Sequence, residues 1–441
     1  MFSQQKLKTL LKISFFISVI TKVNSEGKIN CKITRDYLHA NCSHRQLNEV
    51  PTDLPKTLLS LDLTGNNIEV LSNNSFKHLT LLQNIIIDNN RLLNIESMAF
   101  TGLGRLHKLS LVNNNLTYDY ETFPVDVFQP LKMLKKLNIY GNKCFENEST
   151  HYPDVSFSFL TSLEHLTIDL CKYPIFGKGF KDLHNLKKLE FKQCYLKRLE
   201  NDTLKVFSGV ILELHMTQCL DIDTTVEYGS LEGMERLSVL NMENTRISLP
   251  SALRLLYGIQ NNLMKIVNFY QVSDQNFFRE GKRFAVILTK SMTIYLMKMC
   301  IKNLNIGNNG IVEYEKDSLF GFKHAGCLEH FYFSENRFVI LNGWGSNEFF
   351  QFFTKAKKLR ELNFSYMPWK FTRYDNTFNI SSSKLVNVFL PCPENLHTIN
   401  ISHVLADANL HYNGTLIGCN TLSVIDFSYT TFEDLYFDFH G

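Results

Sequence analysis

Ten cysteines and nine Asn-x-Ser/Thr triplets are the groups in this 441-residue chain best suited to covalent chemistry. Cysteines join in disulfides or bind metal as thiolates, and the triplets accept N-glycans in an exported chain. Signatures for catalysis are missing: there is no HExxH pair and no GxSxG elbow, and "GFKHAGCL" has Cys327 where a phosphate-binding loop needs lysine. The chain is therefore expected to be a binder and not an enzyme, with no metal and no cofactor. Its 46 Lys and Arg stand against 43 Asp and Glu, so no global field calls for nucleic acid or an anionic membrane.

Export is written at the start. Lys6, Lys8 and Lys12 precede the apolar core "ISFFISVI" (Ile13 to Ile20), followed by "VNS", Val23 to Ser25. This is the pattern of a secretory signal peptide over residues 1–25, with a core far too short to cross a bilayer. An extracellular setting makes Asn41, Asn73, Asn115, Asn147, Asn201, Asn363, Asn379, Asn400 and Asn413 candidate glycan acceptors.

What positions these groups is a repeat. "LLSLDLTGNNI" at Leu58, "LQNIIIDNNRL" at Leu82 and "LHKLSLVNNNL" at Leu106 share the pattern L-x-x-L-x-L-x-x-N-x-L. It recurs at Leu134, Leu163, Leu186, Ile211, Leu237, Ile301, Leu328, Leu359, Leu396 and Leu422, and a fourteenth copy has a register ambiguous between Leu263 and Met264. This is the leucine-rich repeat. The x-L-x-L-x segment is expected to be a strand whose leucines face inward, and stacked copies give a parallel sheet over a continuous core. The fold class is thus α/β, a leucine-rich repeat solenoid bent as a horseshoe, with a concave sheet and an irregular or short-helical convex side. Asn66, Asn90, Asn114, Asn142, Asn309 and Asn336 are placed to satisfy backbone groups of neighbouring units. Phe76, Phe100, Phe180 and Phe320 anchor the convex segments.

Ahead of the first repeat, "INCKITRDYLHANCSHRQLNEVPTDLPKTLLSL" resembles the cysteine-capped N-terminal module of extracellular leucine-rich repeat proteins. The resemblance implies a cap over residues 26–57 closed by Cys31 and Cys42, shielding the first strand's edge from water. Repeats then run from 58 to 441. Cys300 and Cys327 share a phase and Cys392 and Cys419 nearly do; rungs about 5 Å apart make both pairs candidate disulfides. Cys171, Cys194 and Cys219 fall at the asparagine position, and Cys144 at a leucine position, so all four are expected to be buried thiols. The spans Leu263 to Ile301, Leu359 to Leu396 and, mildly, Leu134 to Leu163 are overlong. They read equally as binding loops or neutral insertions. Arg279, Lys282 and Arg283 in the first form a basic cluster expected to be a solvated surface.

Exposed strand positions would line the concave face: Lys136, Asn138, His165, Thr167, Lys188, Glu190, His215, Asn241, His330, Tyr332 and Glu361. Such a polar and aromatic row suits an extended ligand or a protein surface, although the same groups can simply solvate the sheet. Asn363 and Asn400 lie between inward residues and must project from the same face. Sugars there would leave the lateral edge or earlier units for contact.

Signal peptide, two-cysteine cap, units of 23 to 38 residues, phenylalanine-bearing segments and "LPCPENLHTINIS" (Leu390 to Ser402) together resemble the ectodomain of a Toll-like receptor. The resemblance implies innate immune recognition of a pathogen-derived or protein ligand. Receptor homo- or heterodimers would form on binding and signal through a TIR domain. It places the chain outside the cell or on the lumenal side of an endosomal membrane. The sequence departs from that pattern in lacking a cysteine-rich C-terminal cap, a membrane-spanning stretch and a TIR domain. The expectation is a fragment of a longer receptor, with a truncated secreted decoy and an adhesion or matrix protein as the other readings.

Overall fold

The computed structural model describes residues 31–145, 148–196, 198–217, 225–245, 247–272, 285–337, 347–367, 386–403, 412–426, 428–429 and 435–440. The signal peptide, Asn147, Cys219, Asn379 and the basic cluster at Arg279, Lys282 and Arg283 lie outside the described residues. The chain divides into two compact units, one ending at Gln193 and one starting at Cys194.

In the first unit, Lys32–Ile33 pairs antiparallel with His39–Asn41, and Cys31 and Cys42 are joined in a disulfide with Cα atoms 4.3 Å apart. His39–Asn41 then pairs parallel with Ser60–Asp62, the first repeat strand, so the hairpin occupies what would be an open edge. Asn84–Ile86, Lys108–Ser110, Lys136–Asn138 and His165–Leu170 follow in parallel register. Lys188–Cys194 is the last strand.

The second unit repeats the scheme with Glu213–Met216, Val239–Asn241, Leu263–Asn268, Cys300–Asn305, His330–Tyr332, Glu361–Asn363, Thr398–Asn400 and Val424–Asp426. Register removes the ambiguity at the fourteenth copy: Leu240 pairs with Val267, Met264 is buried and Leu263 is 76% exposed, so the repeat starts at Met264. Both units are stacks of leucine-rich repeat rungs.

The sequence dictates this packing. Leu61, Leu63, Leu109 and Leu111 are completely buried, each contributing about 1.5–3 kcal/mol. Strands only three residues long cannot bury enough surface alone, so their stability comes from neighbours. Phe76, Phe100 and Phe128 stack at centroid distances of 6.3 and 6.1 Å, and Phe157 and Phe180 continue the aromatic line in the same unit.

Every ladder asparagine bonds two rungs. Asn336 accepts from the backbone N–H of Asn309 and Ile311 at 3.0 and 3.2 Å and donates to the carbonyls of Ile306 and Phe333 at 3.0 and 2.9 Å. Asn66, Asn90, Asn114, Asn142 and Asn309 work in the same way. A turn position recurs too. Three residues after the strand, Gly65, Asn89, Asn113, Gly141, Asn244, Gln271, Asn308, Glu335, Tyr366, His403 and Tyr429 all take positive φ. That conformation aims the N–H at the next rung, as from Gly65 to the Asp88 carbonyl at 2.9 Å.

The cysteine expectation needs correction. Cys144 and Cys171 are bonded to each other, with Cα atoms 5.4 Å apart, and Cys194 is disulfide-bonded as well, so none of the three is a buried thiol. The two partners sit two places apart in repeat phase, and a comparison confined to equal phases misses a contact between adjacent rungs. Cys300–Cys327 and Cys392–Cys419 are disulfides, with Cα separations of 5.4 and 5.0 Å.

Candidate functional site

Two rows of side chains leave the exposed face of each sheet, because strand residues alternate and the leucines occupy the other face. In the first unit Lys136 lies opposite His165, and Asn138 opposite Thr167. Lys188, Glu190 and Lys192 share one strand, with ammonium to carboxylate distances of 3.4 and 2.9 Å. Burial alone would raise the Glu190 carboxyl; the hydrogen bond from Lys192 and the charge of Lys188 outweigh it and hold it below its ordinary range.

In the second unit the polar groups converge. His330, Tyr332 and Glu361 meet where His330 pairs with Glu361 and Tyr332 with Asn363. The Tyr332 hydroxyl donates to Glu361 Oε2 at 2.7 Å, His330 Nδ1 lies 3.2 Å from the same oxygen, and the two rings are stacked 9° from parallel. Burial, then the bond to Glu361, push the Tyr332 hydroxyl well above its usual range, so it stays protonated. His215 Nε2 lies 3.4 Å from Glu213 in an earlier rung of this unit. The candidates thus lie on the strand face of both units, and only His330, Tyr332 and Glu361 share a single carboxylate. Among the described residues no cluster of three His, Cys, Asp or Glu could hold a metal ion.

Sequence reading missed a regularity at the sugar-acceptor triplets. Asn41, Asn363 and Asn400 end their strands, and each Oδ1 accepts from the N–H and hydroxyl of the serine two residues on, between 2.7 and 3.0 Å. Asp62 binds Thr64 in the same way. The signal was in the sequence: Asn or Asp followed two places later by Ser or Thr. Asn363 and Asn400 lie between buried neighbours, Leu362 and Phe364, and Ile399 and Ile401. Asn73 and Asn201 are exposed and Asn115 half-buried in other parts of their rungs, and Asn413 falls in the strand Tyr412–Ile417.

Residues 80–144 match the leucine-rich repeat family. Toll-like receptor 2 type-2 of Gallus gallus is 22% identical over 85% of this chain and 56% of its own length. This chain is a leucine-rich repeat array similar to Toll-like receptors. Toll-like receptor 9 of Homo sapiens is 27% identical over 45% of the chain and 22% of its own length. The leucine-rich repeat transmembrane protein FLRT2 of Rattus norvegicus is 34% identical over 29% of the chain and 18% of its own length. The chain spans from about a sixth to just over half of the curated relatives it matches. No helix among the described residues is long and apolar enough to cross a membrane.

Proposed function

We propose that this array is the extracellular ligand-recognition part of a Toll-like innate immune receptor, whose partner is a pathogen-derived or protein ligand that brings two receptor chains together. Signalling would pass to a TIR domain outside this sequence. The observation that carries the reading is the similarity to Toll-like receptor 2 type-2 along 85% of the chain. Binding, not catalysis, is the work such a surface performs.

The ligand, on this reading, avoids the strand face of the late rungs. Glycans on Asn363 and Asn400 would stand in that face, directly beside Tyr332 in the case of Asn363. Contact then falls to the lateral edge or to the early rungs carrying Lys136, Asn138, His165, Lys188 and Glu190. An adhesion or matrix role is the alternative, supported by the 34% identity to FLRT2 over a shorter stretch.

Both are tested by joining the chain to the membrane-spanning and TIR segments of Toll-like receptor 2 in reporter cells. Challenge with microbial lipopeptides, nucleic acids and flagellin should give a response to one class. Silence to every class at confirmed surface display, with cells instead clustering through the displayed chain, would favour adhesion.

A further inference from the structure

Three tyrosines of the second unit pack edge to face in the connecting segments of three successive rungs. Tyr228 and Tyr257 have ring centroids 6.1 Å apart at 90°, Tyr257 and Tyr295 are 5.2 Å apart at 68°, and Tyr228 and Tyr295 are 6.4 Å apart at 79°. The cluster is not core: Tyr228 is 51% exposed and Tyr257 39%. Arg254 lies over the Tyr228 ring at 4.8 Å and Lys298 over Tyr295 at 5.9 Å. Among the described residues neither cation has a carboxylate partner and none of the three hydroxyls has a hydrogen bond. Exposed Ile294 adjoins Tyr295 in sequence, and exposed Glu232 lies in the turn whose backbone packs against Gly258.

A half-exposed aromatic cluster gives up part of the stabilisation burial would provide. Tyrosine and arginine are the residue types that carry binding energy at protein interfaces, since they join large rigid area to unspent hydrogen bonds. We infer that Tyr228, Tyr257, Tyr295, Arg254 and Lys298 form a docking point for a protein that presents carboxylates around an apolar side chain. Carboxylates pair with Arg254 and Lys298, the hydroxyls bond the partner's polar rim, and the apolar group covers the rings. Charge decides the occupant. A second copy seated by a two-fold axis would set these cations against one another, and two cations are too few to track an anionic polysaccharide. The docking point is independent of which ligand the strand face or edge takes.

The test is fluorescence anisotropy on the purified chain with a fluorescein-labelled peptide of four Glu-Leu-Glu repeats, beside the same peptide with Gln for Glu. The acidic peptide should bind saturably and the neutral one should not. Arg254→Glu with Lys298→Glu, and separately Tyr257→Ala, should each weaken binding at least tenfold with an unchanged circular dichroism melt. Equal binding of both peptides, or binding indifferent to these substitutions, would overturn the proposal. So would a concentration-dependent dimer by sedimentation that Tyr257→Ala abolishes, or a heparin octasaccharide bound in place of the peptide.

Discussion

Tyr118 donates its hydroxyl hydrogen to the carboxylate of Asp169 at 2.6 Å, joining two fully buried side chains 51 residues apart in sequence. Asp169 also accepts from the N–H groups of Gly141 and Asn142, both at 2.9 Å. Its own rung has Cys171 where others keep the ladder asparagine, so this carboxylate satisfies backbone donors there. Tyr118→Phe leaves the carboxylate short of one donor and should cost about 1–3 kcal/mol, measured by urea unfolding.

The same carboxyl gives a pH dependence. Burial raises Asp169 above its ordinary value, against the hydrogen bonds from Tyr118, Asn142 and Gly141. With the folded value above the unfolded one, the native state binds the proton more tightly between the two. The wild-type chain should therefore gain stability relative to Asp169→Asn as pH falls through that raised value toward 3.8, the ordinary one. A wild-type stability that falls relative to that of Asp169→Asn on acidification would contradict this.

Loss of a ladder amide should be costly. Asn336→Ala removes four hydrogen bonds to buried backbone groups and is expected to lower stability by about 3 kcal/mol. Native-state hydrogen exchange should show faster exchange at the amides of Asn309 and Ile311.

The rung-to-rung disulfides clamp irregular stretches. Cys300 and Cys392 each close an overlong span and bond to the next rung across 27 residues. Replacing Cys300 and Cys327 with serine should cost roughly 3–4 kcal/mol on the chain-entropy scale, visible as a lower melting temperature in non-reducing buffer.

Gly141 is set by geometry. Its φ is +73°, and a Cβ there would clash with Asn113 Oδ1. Gly141→Ala should cost about 1–2 kcal/mol. Gly104 has no positive φ, and a Cβ added to it would meet nothing within 4 Å. It should tolerate alanine, which thermal melts of the two variants would compare.

The fold was legible because a strict period leaves few ways to bury Leu61, Leu63 and their counterparts. The ladder asparagines were legible too, since each must meet its neighbour's backbone. The Cys144–Cys171 bond, the buried Tyr118–Asp169 pair and the tyrosine cluster were not. Each joins residues at different phases of different rungs, and no spacing rule says which phases touch once rung lengths vary. The convergence of His330 and Tyr332 on Glu361 lay between these cases: their shared face could be read from alternation, but their approach to one carboxylate depends on register.

Each ladder amide belongs to two links of the chain at once, spending its oxygen on one and its nitrogen on both. Damage at one link therefore strips polar groups in the link beside it. An array joined this way should part at its seams in blocks, with the rung of Cys171, which has no ladder amide, as the natural line of fracture within the first unit once its sulfur staple to Cys144 is reduced.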